Sequence, residues 1–206
     1  MSEKGKKTDR RTSRTKKALR DALIELILEK HYDAITVQDI IDRADVGRST
    51  FYLHFRDKED LLIGDWKKFL GLLADNFNWS GLWEARLVPI RELFHHLVDF
   101  HTFYRALEKS QKSERLFKTG CRFLAENIET QLTKNFEASE LKIPAPILAN
   151  YLANEIFGQL RWWLDGNMKN SPEEMDEIFH SLVMPGVRNS FVKFDKNNTQ
   201  KIAAVK

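Results

Sequence analysis

The chain has 206 residues, of which 42% are hydrophobic and 31% charged, and its formal net charge is +3. This composition is typical of a globular protein, and no stretch approaches the roughly 18 consecutive apolar residues that span a membrane. The single cysteine excludes an internal disulfide framework, and the basic N-terminus lacks the apolar segment of a secretory signal. We therefore expect a cytoplasmic protein.

Positive charge is concentrated near the N-terminus. Residues 1–20 contain nine Lys or Arg against two acidic residues, whereas residues 21–60 contain five Lys or Arg against ten acidic residues. A basic arm ahead of a folded domain attracts phosphate backbones, although a merely solvated tail has the same composition. We expect residues 1–9 to form a disordered basic arm.

Apolar residues recur at helical spacing along almost the whole chain, and no segment alternates with the period of two that a half-buried strand shows. The fold class predicted from this pattern is all-α. The predicted helices lie at about 10–30, as two short helices between Thr36 and Phe55, and at about 57–77, 89–109, 113–136, 146–165 and 173–183.

The two short helices, separated by the turn ADVG at residues 44–47, have the geometry of a helix-turn-helix. Thr36, with Asp39 three residues later, approximates a capping box at the start of the first helix. Phe51 and Phe55 lie four residues apart in the second helix and are expected to pack inward. The opposite face then carries residue types that read base edges or hold phosphates, namely Arg48, Ser49, Thr50, Tyr52, Leu53 and His54.

Residues 36–62, TVQDIIDRADVGRSTFYLHFRDKEDLL, resemble the DNA-binding signature of the TetR/AcrR family of bacterial transcription regulators. The resemblance extends less closely over residues 12–76, roughly a third of the chain. A second segment, RWWLDGNMKNSPEEM at residues 161–175, weakly resembles the C-terminal region of a subgroup that includes activators of dihydroxyacetone kinase operons.

The resemblance implies an N-terminal three-helix helix-turn-helix domain joined by a fourth helix to a C-terminal helical bundle. We expect the DNA-binding domain at residues 10–57, a ligand-binding and dimerisation domain at residues 58–194, and a disordered tail at residues 195–206.

The resemblance also implies roles for individual residues. Thr36 and Lys58 would hold backbone phosphates, and Tyr52 and His54 would lie against phosphates. The family commonly has Ser where this chain has Gly47, so a hydroxyl that could bind phosphate is lost and only the backbone N–H remains. The expected DNA-binding residues are Thr36, Gly47, Arg48, Ser49, Thr50, Tyr52, Leu53, His54 and Lys58.

Beyond residue 65 the sequence is rich in large aromatic residues. Such residues usually fill a core, but a bundle with bulky walls often leaves pockets between its helices. The resemblance implies that this region binds a small effector, which we expect to be largely apolar. The expected ligand-binding residues are Phe69, Leu73, Phe77, Phe100, His101, Tyr104, Phe117 and Cys121.

A metal site and an enzyme active site are the alternatives to a ligand pocket. His95 and Asp99, four residues apart, could share a metal ion with Cys121, but these residues have no recognised zinc-binding spacing. We therefore expect no metal and no cofactor. The chain also lacks a Gly-rich phosphate loop and a nucleophile elbow, so we do not expect an enzyme.

The helices predicted at 146–165 and 173–183 carry a stripe of apolar residues that is wider than one buried face needs. Two such helices can pair with their copies in a four-helix interface, as the resemblance implies. The alternative is that the chain's own core covers the stripe. The expected interface residues are Tyr151, Ile156, Leu160, Trp163, Phe179 and Leu182.

The leading interpretation is a homodimeric, ligand-responsive regulator that binds a palindromic operator in double-stranded DNA and has no membrane partner. We favour a repressor over an activator, although that choice depends on where the operator lies relative to the promoter. The alternative is a small-molecule or metal sensor that acts through protein partners and carries a vestigial helix-turn-helix. Salt-dependent binding to palindromic DNA separates the two interpretations.

Overall fold

The computed structural model describes residues 3–83, 86–108, 110 and 113–192. Within these residues the chain forms α-helices joined by short connections, and the all-α prediction is confirmed. The helices are α1 (Glu3–Glu29), α2 (Val37–Ala44), α3 (Arg48–His54), α4 (Lys58–Asp75), α5 (Ile90–Asp99), α6 (His101–Glu108), α7 (Ser113–Asn135), α8 (Ala145–Asp165) and α9 (Pro172–Asn189).

Three single-turn 3₁₀ helices, at Tyr32–Ala34, Trp79–Gly81 and Ala138–Glu140, lie in connections between the helices. An isolated antiparallel bridge pairs Leu141 with Phe191. Across the described part of the chain, no helix combines the length and the apolar character that crossing a bilayer requires.

Contacts divide the chain into two compact units. Unit 1 comprises the residues up to Lys68 together with Phe100–Leu116, and unit 2 comprises Phe69–Asp99 and the residues from Phe117 onward. Unit 1 is therefore larger than the DNA-binding domain expected at 10–57, because it includes the first half of α4 and all of α6. The disordered tail expected at 195–206 lies outside the described residues.

Helix α1 begins at Glu3, whereas the sequence led us to expect a disordered arm over residues 1–9. The run from Glu3 to Arg14 contains three Lys and three Arg, which are good helix formers, and it contains no proline. Gly5 is its weakest position, and Thr8, Asp9, Thr12 and Ser13 are also weak helix formers. The described part of the arm, from residue 3, is thus a continuation of the first helix.

The core of unit 1 forms around α1. Leu19, Leu23 and Ile27 recur every four residues on this helix and are at most 2% exposed. Ile40 on α2 and Phe51 on α3 are fully buried in the same cluster. Helices α2 and α3 are too short to be stable alone in water, so this packing is what holds them in place.

Unit 2 packs α9 against α5 and α8. The Trp163 ring meets the Phe94 ring edge-on at 4.7 Å, and its indole N–H donates to the Asn170 carbonyl at 2.9 Å. The carboxylate of Asp176 is buried and pairs with the Arg86 guanidinium. His180 Nδ1 lies 3.2 Å from the same carboxylate, so the buried charge is not left without partners.

Two predicted helix boundaries differ from the structure. The helix expected at 89–109 is two helices, α5 and α6, interrupted at Phe100. The helix expected at 173–183 continues to Asn189 and contains Pro185. Proline removes one backbone donor from a helix interior, but Val183, Met184 and Val187 are buried on both sides of it and hold the last turns in place.

Candidate nucleic-acid interface

Helix α2 is fixed at its first turn by the capping box that the sequence predicted. The Thr36 hydroxyl accepts from the Asp39 backbone N–H at 3.1 Å, and the Asp39 carboxylate accepts from the Thr36 backbone N–H at 2.7 Å. The Thr36 hydroxyl and the Lys30 ammonium also contact this carboxylate. These hydrogen bonds, those from Thr36 foremost, hold the pKa of Asp39 well below its usual range. The Thr36 side chain therefore already has a structural role at this helix start.

The turn between α2 and α3 requires one residue with a positive φ. Asp45 supplies it, with φ of 51° and ψ of 48°. Gly47 is the N-cap of α3 and has extended backbone angles, with no side chain to satisfy the free N–H groups of the helix start. A Cβ added at Gly47 would have as its nearest neighbour Thr50 Oγ1 at 3.8 Å, so the position is open to a larger residue.

Helix α3 is held from one side and open on the other. Phe51 is fully buried, and Phe55 packs partly buried against the same core. On the opposite face the Leu53 side chain is 77% exposed and the Tyr52 side chain 49% exposed. Arg48 and Ser49 are exposed as well, and Thr50 and His54 are partly exposed. The structure thus brings the residues predicted to read DNA onto one accessible surface.

Arg48 is held by two neighbours. Its Nη1 donates to Gln38 Oε1 at 3.1 Å, and its guanidinium lies 5.8 Å from the centre of the Tyr52 ring. Gln38 Nε2 in turn donates to Asp42 Oδ1 at 2.7 Å. Gln38 is not among the DNA-binding residues expected from the sequence. The signal available for it was the four-residue spacing of Gln38 and Asp42, which places the two side chains on one helix face.

Lys58 makes contacts within the chain in addition to the phosphate contact expected from the family resemblance. Its ammonium donates to the backbone carbonyls of Tyr32 at 2.7 Å, Ile35 at 2.6 Å and Asp33 at 3.3 Å. It also lies 4.5 Å from the centre of the Tyr32 ring. An ammonium has three N–H donors, so Lys58 ties the start of α4 to the connection between α1 and α2. A phosphate bound by Lys58 would have to share the ammonium with these carbonyls.

Ion pairs and hydrogen bonds within the chain engage many carboxylates of the acidic segment 21–60. Arg43 pairs with Glu29 at 2.7 Å and with Glu25 at 3.2 Å. Because these acidic groups are engaged locally, the segment can have a net negative charge and still present Arg48 to an anion. Further such contacts join Asp21 to Lys17, Asp39 to Lys30, Asp60 to Arg56 and Glu59 to Arg115.

The structure corrects four of the six expected dimer-interface residues. Ile156, Leu160, Trp163 and Phe179 are 0–1% exposed, so they belong to the core of unit 2 and do not offer a surface to a partner. The apolar stripe on α8 and α9 is wide because most of its residues are buried against other helices of the same chain. The large hydrophobic residues that remain exposed on α8 and α9 are Ile147, Tyr151, Trp162, Ile178 and Leu182.

The eight expected ligand-binding residues are divided between the two units. In unit 2, Phe69 stacks on His96 at 4.2 Å, Leu73 and Phe77 are buried, and Phe117 meets Phe157 edge-on. Cys121 is half-buried, which raises the pKa of its thiol. In unit 1, Phe100 and His101 are exposed, and Tyr104 packs against Trp66 at 5.7 Å.

Unit 1 contains a small cavity of about 20 Å³. That volume holds one water-sized molecule, so this cavity is too small for a metabolite. None of the expected ligand-binding residues lines it. Its walls are Tyr32, Glu59, Leu62, Ile63, Leu107, Ser110, Arg115 and Leu116.

In this all-α chain, one face of a short helix packs against the core and the opposite face exposes Arg, Tyr and Leu. This is the architecture of a helix-turn-helix regulatory protein. Comparison with family models agrees. The model for bacterial regulatory proteins of the tetR family matches residues 19–63, and a model for the C-terminal region of transcriptional regulators matches residues 89–185. The chain belongs to the TetR family.

Curated relatives match only in part. An HTH-type transcriptional regulator from Bacillus subtilis, YxbF, is 44% identical over 61 residues, which are 29% of this chain and 16% of the relative. The dhaKLM operon transcriptional activator DhaS from Lactococcus lactis is 31% identical over 94 residues, or 45% of this chain and 48% of the relative. The chain thus spans less than half the length of either relative.

A solved structure shares the fold over most of both chains. The dihydroxyacetone kinase operon activator DhaS superposes with a TM-score of 0.60 over 86% of this chain and 98% of its own, at 22% sequence identity. The prediction of a helix-turn-helix followed by a helical C-terminal region is therefore confirmed at the level of the fold.

Proposed function

We propose that this protein is a sequence-specific DNA-binding regulator of transcription. The observation that carries the proposal is the open face of α3, where Leu53 is 77% exposed while Phe51 behind it is fully buried. An exposed leucine beside Arg48 and Tyr52 suits a thymine methyl group in the major groove. Arg48 suits the acceptor pair of guanine.

The proposal is tested by selecting sequences from a random duplex pool with the purified protein and measuring affinity over a range of salt concentrations. We expect an enriched motif, and a log–log salt dependence whose slope reports the number of phosphates contacted. The matched variant is Leu53→Ala, which removes an exposed contact without touching the core. It should weaken binding to the motif more than to random DNA. A wild-type protein that enriches no motif would contradict the proposal.

We further propose that the protein acts as a homodimer on a palindromic site. The support is the exposed apolar surface formed by Ile147, Tyr151 and Trp162 on α8 with Ile178 and Leu182 on α9. The two helices meet near one end of this surface, since a Cβ added at Gly186 would lie 3.6 Å from the Tyr151 hydroxyl. A dimer about a two-fold axis would cover this surface on both copies and present two α3 helices to two half-sites.

A small, largely apolar effector completes the proposal. Helices α4 and α7 each contribute residues to both units, so a ligand that moves either helix can alter the unit that carries α3. A coupling of about 1–3 kcal/mol would change DNA affinity about 5- to 150-fold. The test is reciprocal, because a ligand that weakens DNA binding must itself bind the DNA complex more weakly by the same factor. We favour a repressor over an activator. The position of the bound site relative to the native promoter decides between the two.

A further inference from the structure

We propose that Gln38 on α2 is a positioning residue that fixes the Arg48 guanidinium and thereby sets the base preference at one position of the bound DNA. The inference rests on the proposed DNA-binding function. It adds a specificity determinant that lies outside the helix expected to enter the major groove.

The first support is the way Arg48 is held. Gln38 Oε1 accepts from Arg48 Nη1 at 3.1 Å, and the Tyr52 ring lies 5.8 Å from the guanidinium carbon. A free arginine side chain populates many rotamers, and ordering them on binding lowers affinity. These two contacts, from different helices, restrict the guanidinium before DNA arrives.

The second support is that Gln38 is itself oriented. Its Nε2 donates to Asp42 Oδ1 at 2.7 Å. A carboxylate only accepts hydrogen bonds and a guanidinium only donates them. The amide must therefore turn its NH₂ group to Asp42 and its oxygen to Arg48. The reversed amide would place its NH₂ group against the guanidinium donors and its oxygen against the carboxylate. Asp42 thus fixes Gln38, and Gln38 fixes Arg48.

The third support is that the contact with Gln38 leaves Arg48 its positive charge and most of its N–H donors. A guanidinium has five N–H donors, and the contact to Gln38 uses one of them. The remaining edge can still make the bidentate contact that guanine O6 and N7 accept. Because the acceptor on Gln38 is neutral, Arg48 is positioned without being neutralised by a direct ion pair with Asp42.

The experiment compares variants on the enriched DNA motif and on the random pool at one salt concentration. Arg48→Ala first identifies the base pair that Arg48 reads. Gln38→Met keeps the side-chain length without the hydrogen bonds, and it should lower discrimination at that base pair by about threefold or more while leaving random-DNA affinity within about twofold. Asp42→Ala should reduce discrimination at the same base pair, and Asp42→Asn, which keeps an acceptor for Gln38, should restore it.

A double-mutant cycle separates positioning from direct contact. In the Arg48→Ala background, Gln38→Met should produce no further loss at that base pair. An additive loss, or a loss at a different base pair, would show that Gln38 contacts DNA itself and would overturn the inference. Unchanged discrimination in Gln38→Met would overturn it too. Absence of any enriched motif with the wild-type protein would overturn the proposed function, and this inference with it.

Discussion

Single side chains fix the starts of two helices in unit 1, α2 and α4. Lys58 is the clearest case, since one ammonium donates to three backbone carbonyls that belong to the connection between α1 and α2. Hydrogen bonds that involve a charged group contribute more to stability than neutral ones. The residue that family resemblance assigns to phosphate binding is therefore also a structural residue of this unit.

Lys58→Met should lower the free energy of unfolding by about 1–3 kcal/mol, because it removes charged hydrogen bonds and leaves the carbonyls to water. Chemical denaturation monitored by circular dichroism would measure this change. The matched control is Lys17→Met, whose ammonium makes an exposed pair with Asp21, and which should cost about 0.5 kcal/mol or less. If Lys58→Met reduced DNA affinity and left stability unchanged, the structural role would be wrong.

Asp39 makes the capping box dependent on pH. Its folded-state pKa lies below the ordinary value, with hydrogen bonds from Thr36 as the main cause. Its contribution to stability is therefore present above the ordinary carboxyl pKa and is lost as pH falls through the folded-state value.

Thr36→Val should bring the Asp39 pKa back towards its ordinary value and make unfolding less sensitive to acid over the range from about pH 4 downward. Resolved carboxyl titration by NMR would measure the pKa, and denaturation at several pH values would measure the stability. Asp39→Asn is the control, since it removes the titrating group. An unchanged Asp39 pKa in Thr36→Val would assign the shift to the backbone N–H of residue 36 and to Lys30 instead.

At the scale of whole elements, local signals predicted the helix-turn-helix well. The spacing of Thr36 and Asp39 marked the start of α2, and the spacing of Phe51 and Phe55 marked the buried face of α3. Contacts between residues far apart in sequence could not be predicted in this way. No periodicity indicates that Lys58 reaches carbonyls 23 to 26 residues earlier. The wide apolar stripe on α8 likewise does not reveal that Leu160 is buried in the core of unit 2.

In the turn between α2 and α3, variants of Asp45 separate the effect of its backbone conformation from the effect of its charge. Asp45 adopts a left-handed conformation that glycine tolerates best. Asp45→Gly should therefore stabilise unit 1 by a few tenths of a kcal/mol up to about 1 kcal/mol, net of the greater freedom that glycine gives the unfolded chain. Thermal unfolding would measure this.

Asp45→Asn serves as the partner variant, because asparagine also tolerates this conformation but carries no charge. A gain in DNA affinity common to both variants would come from the lost carboxylate. A gain in stability confined to Asp45→Gly would come from the backbone. Equal stability in Asp45→Gly and the wild-type protein would mean that the turn is not strained.

The start of α3 gives a second prediction at this scale. Gly47→Ser adds a side-chain oxygen that can cap the free N–H groups, and the nearest atom to its Cβ is 3.8 Å away. Serine should stabilise the helix start over glycine by a few tenths of a kcal/mol. It should also strengthen binding to all DNA sequences alike by adding a phosphate contact. Gly47→Ala is the control that adds the Cβ without the hydroxyl.

At the scale of the whole molecule, the proposed dimer depends on side chains that the fold leaves exposed. Trp162 is 62% exposed and Leu182 68% exposed, whereas Leu160 and Phe179 on the same helices are buried. Charging the second pair would disrupt the core of the monomer, so only the first pair tests association.

The double variant Trp162→Glu, Leu182→Glu should be monomeric by light scattering and should keep the helical content of the wild-type protein. Burying four unpaired carboxylates in a symmetric interface is strongly unfavourable. Leu28→Glu, at a leucine that is 52% exposed on α1, is the control and should remain dimeric. A double variant that stays dimeric would place the interface elsewhere.

The exposure of Trp162 also has an optical consequence. Of the five tryptophans in the chain, Trp66, Trp79 and Trp163 are at most 8% exposed and Trp83 is partly exposed, whereas Trp162 lies largely in water. Its emission would dominate the red edge of the intrinsic fluorescence spectrum and be the most readily quenched by a collisional quencher. In the dimer the same indole would be covered, so diluting unlabelled protein while recording the emission maximum would follow its association directly.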